Sequence, residues 1–279
     1  AGSMLPVRLD FKVQGSIEDL VEQNADGESV TVIGLMRVRN SERSIASSLQ
    51  ALSRFTHAIV MLDDSSEDGT VQQAQSVAED CRVERLLLNT GGRSQDRYSD
   101  MQRLLEAGRA MGGTHFVVVH SDEMLTTSFV DGGSSLWWDA LTALRIGDSL
   151  TLSWAHMWKS MRFVRTDWLG MGDAARSLRY VDVAFRDDGR CSFLSNRAEY
   201  DDARPSNFWD GERGLGWRHW GHGYNTRRFA WSRIPLDLKG GQVMLNRQPH
   251  MLMHFGYIDW QRARERMLMM RLETLKQQH

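Results

Sequence analysis

The sequence holds only two cysteines, Cys81 and Cys191, in 279 residues. Two thiols cannot staple a fold of this size, which points to a reducing compartment or to a core that needs no disulfides. It has no uninterrupted apolar run of roughly 18 residues, so no transmembrane helix is expected. It has no strong charge of either sign. The formal net charge is −2, and no global basic field draws the chain to nucleic acid or to a membrane. No internal repeat or low-complexity linker is found, so one composite domain is expected rather than two separable ones. The first apolar strand is not followed by G-x-G-x-x-G, which disfavours a dinucleotide-binding enzyme. What is present is ordinary for a globular chain: 41% hydrophobic and 25% charged residues. Ten tryptophans are many for this length, and most fall in the second half.

The opening AGSM has neither a basic n-region nor an apolar h-region and reads as a cloning scar before Met4. Residues 1–28 are taken as tag remnant and polar lead-in. Regular patterning starts at Ser29. Val30–Met36, Ala58–Leu62, Val83–Leu88 and Thr114–His120 are short apolar runs expected as buried strands. Between them lie stretches of helical spacing. Ile45, Leu49, Leu52 and Phe55 mark the first, which Asn40 or Ser41 can cap. Thr70–Asp80 is the second. Ser94–Met111 is the third, with Tyr98, Met101, Leu104 and Leu105 on one face, a face that Gly108 continues. Strands alternating with helices predict an α/β fold, a mainly parallel central sheet flanked by helices. In such sheets ligands bind beyond the C-terminal strand ends. That places three loops at a site: MRVRNSE, DDSSEDGT and HSDEM.

The second half differs. Residues 150–165 and 180–186 look like strands, with Trp154 and Trp158 in the core. Residues 187–249 have little periodicity and are expected as loops of an irregular, Trp-rich acceptor region. Residues 259–278 read as a C-terminal helix.

Three motifs carry chemistry. Met61–Thr70 ends a strand in two aspartates, Asp63 and Asp64, which can accept hydrogen bonds from a base or ribose; the plainer alternative is an Asx turn. Val117–Leu125 ends a strand in Asp122 and Glu123, hard oxygen ligands at an open edge that suit Mg²⁺ or Mn²⁺ bridging a diphosphate. Met253–Arg266 places His254, able to complete a borderline metal's coordination, before a basic helix whose Arg262, Arg264 and Arg266 can neutralise a diphosphate. His250 is its rival, but the strand-like run Met251–Met253 separates the two. The alternatives are a solvated strand end and a half-buried histidine.

Taken in order, these strings resemble the GT-A-fold glycosyltransferases of family 2. VTVIGLMRVRNSERSIASSLQAL is similar to the opening strand and helix, AIVMLDDSSEDGT to the second strand and its acidic turn, and RSQDRYSDMQRLLEAGRAMGGTHFVVVHSDEML to the helix and strand leading into a DxD-type motif. MLMHFGYIDW resembles the later histidine segment. The resemblance is continuous over about residues 30–125 and patchy beyond. It implies a nucleotide-sugar-binding half over 29–125 and an acceptor-binding half over 126–279. It implies nucleotide contacts from Arg37, Arg39, Asp63, Asp64, Arg97 and Ser121, and a Mn²⁺ or Mg²⁺ ion held by Asp122 and His254, the histidine serving as second ligand or as a diphosphate contact. One departure stands out. The first acid of the usual Asp-x-Asp-Glu is His120 here, which implies a different donor contact and a weaker metal site.

The activity so implied moves a sugar from a nucleotide diphosphate sugar to a glycan, lipid-linked or small-molecule hydroxyl, with inversion. That chemistry needs a general base on the acceptor side. Asp201, Asp202, Asp210 and Glu212 are candidates, and Asp210 and Glu212, in NFWDGERG, are preferred because neighbouring aromatics can wall a sugar site. The expected location is cytoplasmic or peripheral at a membrane, with no nucleic-acid partner. Two alternatives stay open: a non-catalytic nucleotide-sugar binding module, prompted by His120, and a nucleotidyltransferase, whose usual Gly-rich loop is missing from LMRVRNSER.

Overall fold

The structure, a computed structural model, describes residues 22–23, 29–89, 94, 96–157, 159, 160, 162, 164, 180–194, 233–245 and 250–256. Two short strands, β1 (Glu22–Gln23) and β2 (Ser29–Val30), pair antiparallel apart from the main sheet. The chain then alternates as expected: β3 (Val32–Val38), α1 (Ile45–Leu52), β4 (Ala58–Asp63), α2 (Thr70–Ser76), β5 (Val83–Leu88), α3 (Arg97–Ala110) and β6 (His115–Val118). It continues through β7 (Glu123–Leu125), α4 (Leu136–Thr142), β8 (Ser149–His156), β9 (Tyr180–Arg186), β10 (Gln242–Leu245) and β11 (Met251–His254).

These strands build one nine-stranded sheet in the order β5-β4-β3-β6-β9-β8-β11-β7, with β10 also on β8. β3 pairs parallel with both β4 and β6, and β4 with β5. β9 runs antiparallel between β6 and β8, and β7 antiparallel to β11. β10 and β11 lie end to end along one edge of β8, covering 149–152 and 153–156 in turn. The protein is therefore a mixed α/β fold, with a mainly parallel sheet flanked by helices.

Period-2 alternation divides the core. Val32, Met36 and Val38 face one layer with Ile45, Leu49 and Leu52 of α1 and Trp137 and Leu141 of α4. Ile33 and Leu35 face the other, with Met101, Leu104 and Leu105 of α3. Burial on both faces explains why β3 reads as a continuous apolar run. Each such Ile or Leu contributes about 1.5–3 kcal/mol. α3 starts where the Asp96 carboxylate accepts from Tyr98 N and Ser99 N, both at 3.2 Å. Gly108 sits in its apolar face because a Cβ there would come within 2.7 Å of the Phe116 ring.

Several elements differ from the sequence expectation. α1 begins with Ser44 as its N-cap and without a side-chain capping bond, so Asn40 and Ser41 are not caps. Asn40 Oδ1 instead accepts from Glu67 N at 2.9 Å and ties the loop after β3 to the turn after β4. β7, α4 and β10 were not foreseen, β10 within the stretch expected as loops. The Trp-rich stretch 208–231, Trp158 and the C-terminal helix over 259–278 lie outside the described residues.

Candidate functional site

The parallel register puts the C-terminal ends of β3, β4 and β6 on one rim. Val38 is level with Asp63, and Leu35 with Val118. Asp64 follows β4 directly, and Asp122 comes four residues after β6. Ser41 Oγ and Ser121 Oγ share a hydrogen bond of 2.7 Å, joining the first and fourth strand loops. Ser121 is thus engaged in holding the rim together.

Asp64 is fully buried and anchors a network. Arg37 Nη2 donates to its Oδ2 at 2.6 Å, and Arg37 Nε donates to Asp100 Oδ2 at 2.8 Å. Asn89 Nδ2 (3.2 Å) and Ser94 N (2.6 Å) donate to Asp64 Oδ1. Arg39 donates to the Asp64 carbonyl at 2.6 Å and to Glu67 Oε1 at 2.9 Å. Asp63 plays the plainer part: its carboxylate accepts from Ser66 N and Ser66 Oγ, an Asx turn. Arg37, Arg39 and Asp64 are therefore brought together, with Asp100 and Asn89 as members the sequence reading missed.

Asp122 and His254 meet, although 132 positions separate them. His254 Nε2 lies 3.5 Å from Asp122 Oδ2. β11 makes the meeting possible: it packs between β8 and β7, with His254 level with His156 on one side and with Glu123 on the other. Phe255 N then donates to the Asp122 carbonyl at 2.7 Å. Gly256 folds close over the pair. A Cβ on it would lie 2.8 Å from His254 Nε2 and 3.2 Å from Asp122 Oδ2, so glycine keeps the space before both atoms clear. His250 takes no part here; its Nδ1 is 3.0 Å from Ser128 Oγ and its ring packs on Phe129.

Glu123 corrects the picture of an open acidic edge. It is fully buried, and Arg233 donates to both its oxygens. His120 N donates to Oε2 at 3.0 Å. Arg233 also stacks on Trp154, 4.8 Å from the ring centroid, so this half-buried tryptophan packs beneath the polar cluster. Burial raises the Glu123 carboxyl, but the charge and hydrogen bonds of Arg233, with the neighbouring His120 and His254, together hold the group below its ordinary value. His120 keeps part of its ring surface open. Dense surroundings and the Arg233 charge nonetheless push it down to about 4, so it is neutral at pH 7. Arg97 opens α3 with its guanidinium over the Tyr98 ring, and its charge reaches His120. Asp201, Asp202, Asp210, Glu212 and the arginines at 262, 264 and 266 lie outside the described residues.

A divalent cation fits the Asp122–His254 pair on two observations. The donor atoms are 3.5 Å apart, close to the roughly 3.0–3.4 Å between neighbouring ligands of an ion bound at about 2.1 Å. The glycine opposite sends no side chain into the space before the two donor atoms. Asp187, Asp188 and Cys191 also bring ligand atoms within 4.8 Å of one another. There Arg109 donates twice to Asp187 at 2.7 Å, and burial together with Asp187 raises the Cys191 thiol. That cluster is a clasp at the opposite end of the sheet, with Arg109 paired to Asp187 and the backbone N–H groups of Arg190 and Cys191 bonded to Asp188.

No protein-family profile matches the sequence, and no curated protein does. Among solved structures the chain is similar to S. aureus TarS 1–349 in complex with UDP-GlcNAc, at 19% identity over 49% of this chain and 37% of that one, with a TM-score of 0.35. It is similar to glucosyl-3-phosphoglycerate synthase from Mycobacterium tuberculosis with phosphoglyceric acid, at 16% identity over 86% and 77%, TM-score 0.38. It is similar to the mannosyltransferase PcManGT from Pyrobaculum calidifontis with GDP-Man and Mn²⁺, at 16% identity over 46% and 35%, TM-score 0.32. The chain spans about two-fifths of the length of the TarS 1–349 structure. Among the described residues no helix is long and apolar enough to cross a membrane.

Proposed function

We propose that the chain is a glycosyltransferase that moves a sugar from a nucleotide diphosphate sugar to a hydroxyl acceptor with inversion, assisted by Mn²⁺ or Mg²⁺. The observation that carries this reading is that Asp64 and the Asp122–His254 pair lie past the C-terminal ends of the parallel strands, on the same rim. In this reading residues 29–125 are the donor half and 126–279 the acceptor half of a single domain. Arg37, Arg39 and Asp64 form the nucleoside end, Asp63 and Ser121 support it from the turn and the rim, and Arg97 approaches the diphosphate. Asp122 and His254 hold the cation. Asp210 or Glu212 takes the proton from the acceptor hydroxyl, which is a glycan, a lipid-linked sugar or a small molecule. The protein acts in the cytoplasm or at a membrane surface.

The bound cation would supply positive charge against the growing charge of the leaving diphosphate. The protein's own part is to hold groups in place. Arg37, fixed by both Asp64 and Asp100, cannot swing away from the rim. His120, neutral at pH 7, offers one N–H and one lone pair where an acid would offer charge.

The test is thermal melting with Mn²⁺ and UDP, GDP or dTDP, followed by nucleotide release from the matching sugar nucleotides. A diphosphate should raise the midpoint only when Mn²⁺ is present, and the matching sugar nucleotide should turn over. Stabilisation without turnover would instead support a binding module, the reading His120 favours. No stabilisation by any diphosphate would remove the proposal.

A further inference from the structure

The Asp122–His254 pair has a third member. His156, on the neighbouring strand β8, is level with His254 on β11, and the two Nδ1 atoms are 3.1 Å apart. His156 is buried, 6% exposed, and the Trp154 ring packs on both imidazoles with centroids 4.2 and 5.4 Å away. The rings are thus held by strand register and by an aromatic neighbour, independently of any ligand.

We infer that His156 is a positioning residue that fixes which ring nitrogen of His254 carries the proton, and so sets whether His254 faces Asp122 as a donor or as a ligand. This rests on the reading of Asp122 and His254 as the cation-holding pair. A neutral imidazole has one N–H and one lone pair. Two Nδ1 atoms at hydrogen-bond distance need a single proton between them. If His156 Nδ1 donates, His254 Nδ1 accepts, and His254 carries its proton on Nε2, pointing at Asp122. If His254 Nδ1 donates, its Nε2 presents a lone pair toward Asp122. Two acceptors then face each other across 3.5 Å, which is unfavourable until a cation lies between them.

The distances rank the two contacts. At 3.1 Å the His156 bond is within the normal range, whereas 3.5 Å to Asp122 is beyond the 2.7–3.2 Å of a good N–H···O bond. His254 is therefore oriented mainly by His156 and only loosely latched to Asp122. Without cation His156 Nδ1 donates. With cation the proton lies on His254 Nδ1, and His156 becomes the acceptor that a metal-ligating histidine usually requires at its second nitrogen.

The experiment uses the full chain labelled with ¹⁵N-histidine, examined with and without Zn²⁺ as a diamagnetic probe. Coupling across the N–H···N bond between the two Nδ1 atoms should be seen in both states, with the proton on His156 without Zn²⁺ and on His254 with it. In parallel, Mn²⁺ affinity by electron paramagnetic resonance should fall roughly 10- to 100-fold in His156→Leu. His156→Asn, whose amide can donate or accept, should recover most of that loss. Absence of the coupling, a proton that stays on His156 when Zn²⁺ is bound, or wild-type Mn²⁺ affinity in His156→Leu would each overturn the inference. If the wild-type protein binds no cation, the functional reading fails, and the coupling in the cation-free protein alone decides whether His156 orients His254.

Discussion

Arg233→Met should destabilise the protein by about 3–5 kcal/mol at neutral pH, the range for breaking one side of a buried ion pair. The structure places the pair at the costly end. The Glu123 side chain is 0% exposed and that of Arg233 4%. The guanidinium serves both carboxylate oxygens, and His120 N adds a bond at 3.0 Å. Methionine keeps the length of the stem over Trp154, so the loss is of charge more than of volume. At roughly 2–4 °C per kcal/mol the melting midpoint should drop by about 6–20 °C.

The pH dependence separates this account from simple loss of packing. In the wild-type chain the Arg233 charge holds the Glu123 carboxyl below its ordinary value. Its stabilisation is therefore present above the unfolded carboxyl pKa and is lost as pH falls through the folded value. In Arg233→Met the burial is no longer opposed by the guanidinium, so the folded value rises above the unfolded one, and a penalty builds as pH rises from the unfolded value to the folded one. The gap between the two proteins should be wide at pH 7 and narrow toward pH 4. Urea unfolding followed by tryptophan fluorescence measures it. The double variant with Glu123→Gln should be more stable than Arg233→Met alone. A loss below about 1 kcal/mol at pH 7, or a loss that does not change with pH, would refute the reasoning.

Asp122→Ala should abolish Mn²⁺-dependent binding of a nucleoside diphosphate in calorimetry while leaving the melting midpoint within a few degrees. Gly256→Ala should weaken Mn²⁺ binding about tenfold or more, since its Cβ would press on His254 Nε2 and Asp122 Oδ2; unchanged affinity would mean that the glycine clears nothing useful. Gly34→Val should cost about 1–3 kcal/mol by overpacking, because even a Cβ would sit 2.9 Å from Leu52 Cδ2, and urea unfolding reads that directly.

The first half of the fold was legible because β3, β4 and β6 are buried on both faces and α3 on one, so periodicity and apolarity spell out the elements. β9 was found at its full extent for the same reason. β7 escaped because three residues, Glu123–Leu125, carry no period of their own. They become a strand only by pairing with β11. β10 escaped likewise, being half-exposed along β8. At the site, Asp64, Asp122 and His254 could be read from strand ends and from resemblance. Glu123 could not. Its inward turn depends on Arg233, 110 positions later, and a carboxylate beside an aspartate reads the same whether it faces solvent or a guanidinium. His156 was hidden as well, because a cross-strand partner is set by register, which one strand's sequence does not state.

The three ion-paired arginines Arg37, Arg39 and Arg233 define what this rim asks of a ligand. Among the described residues, Asp63, Asp64, Glu67, Asp100, Asp122 and Glu123 outnumber Arg37, Arg39, Arg97, Arg103 and Arg233 around it. Arg37 is shared between Asp64 and Asp100, Arg39 is bonded to Glu67, and Arg233 is committed to Glu123. A diphosphate approaching this edge meets positive charge that is largely matched already. On the proposed function, compensation would then come with the ligand, as a cation at Asp122 and His254, or from the arginine-rich sequence after residue 203. The Glu123–Arg233 pair has a further consequence in that balance. By neutralising Glu123 it keeps a second carboxylate from acting beside Asp122, so in the proposed reading a cation would meet one acid and one imidazole rather than two acids. A site of that charge binds a free cation weakly and a cation already complexed to a diphosphate more strongly, because the phosphate oxygens supply the missing negative ligands.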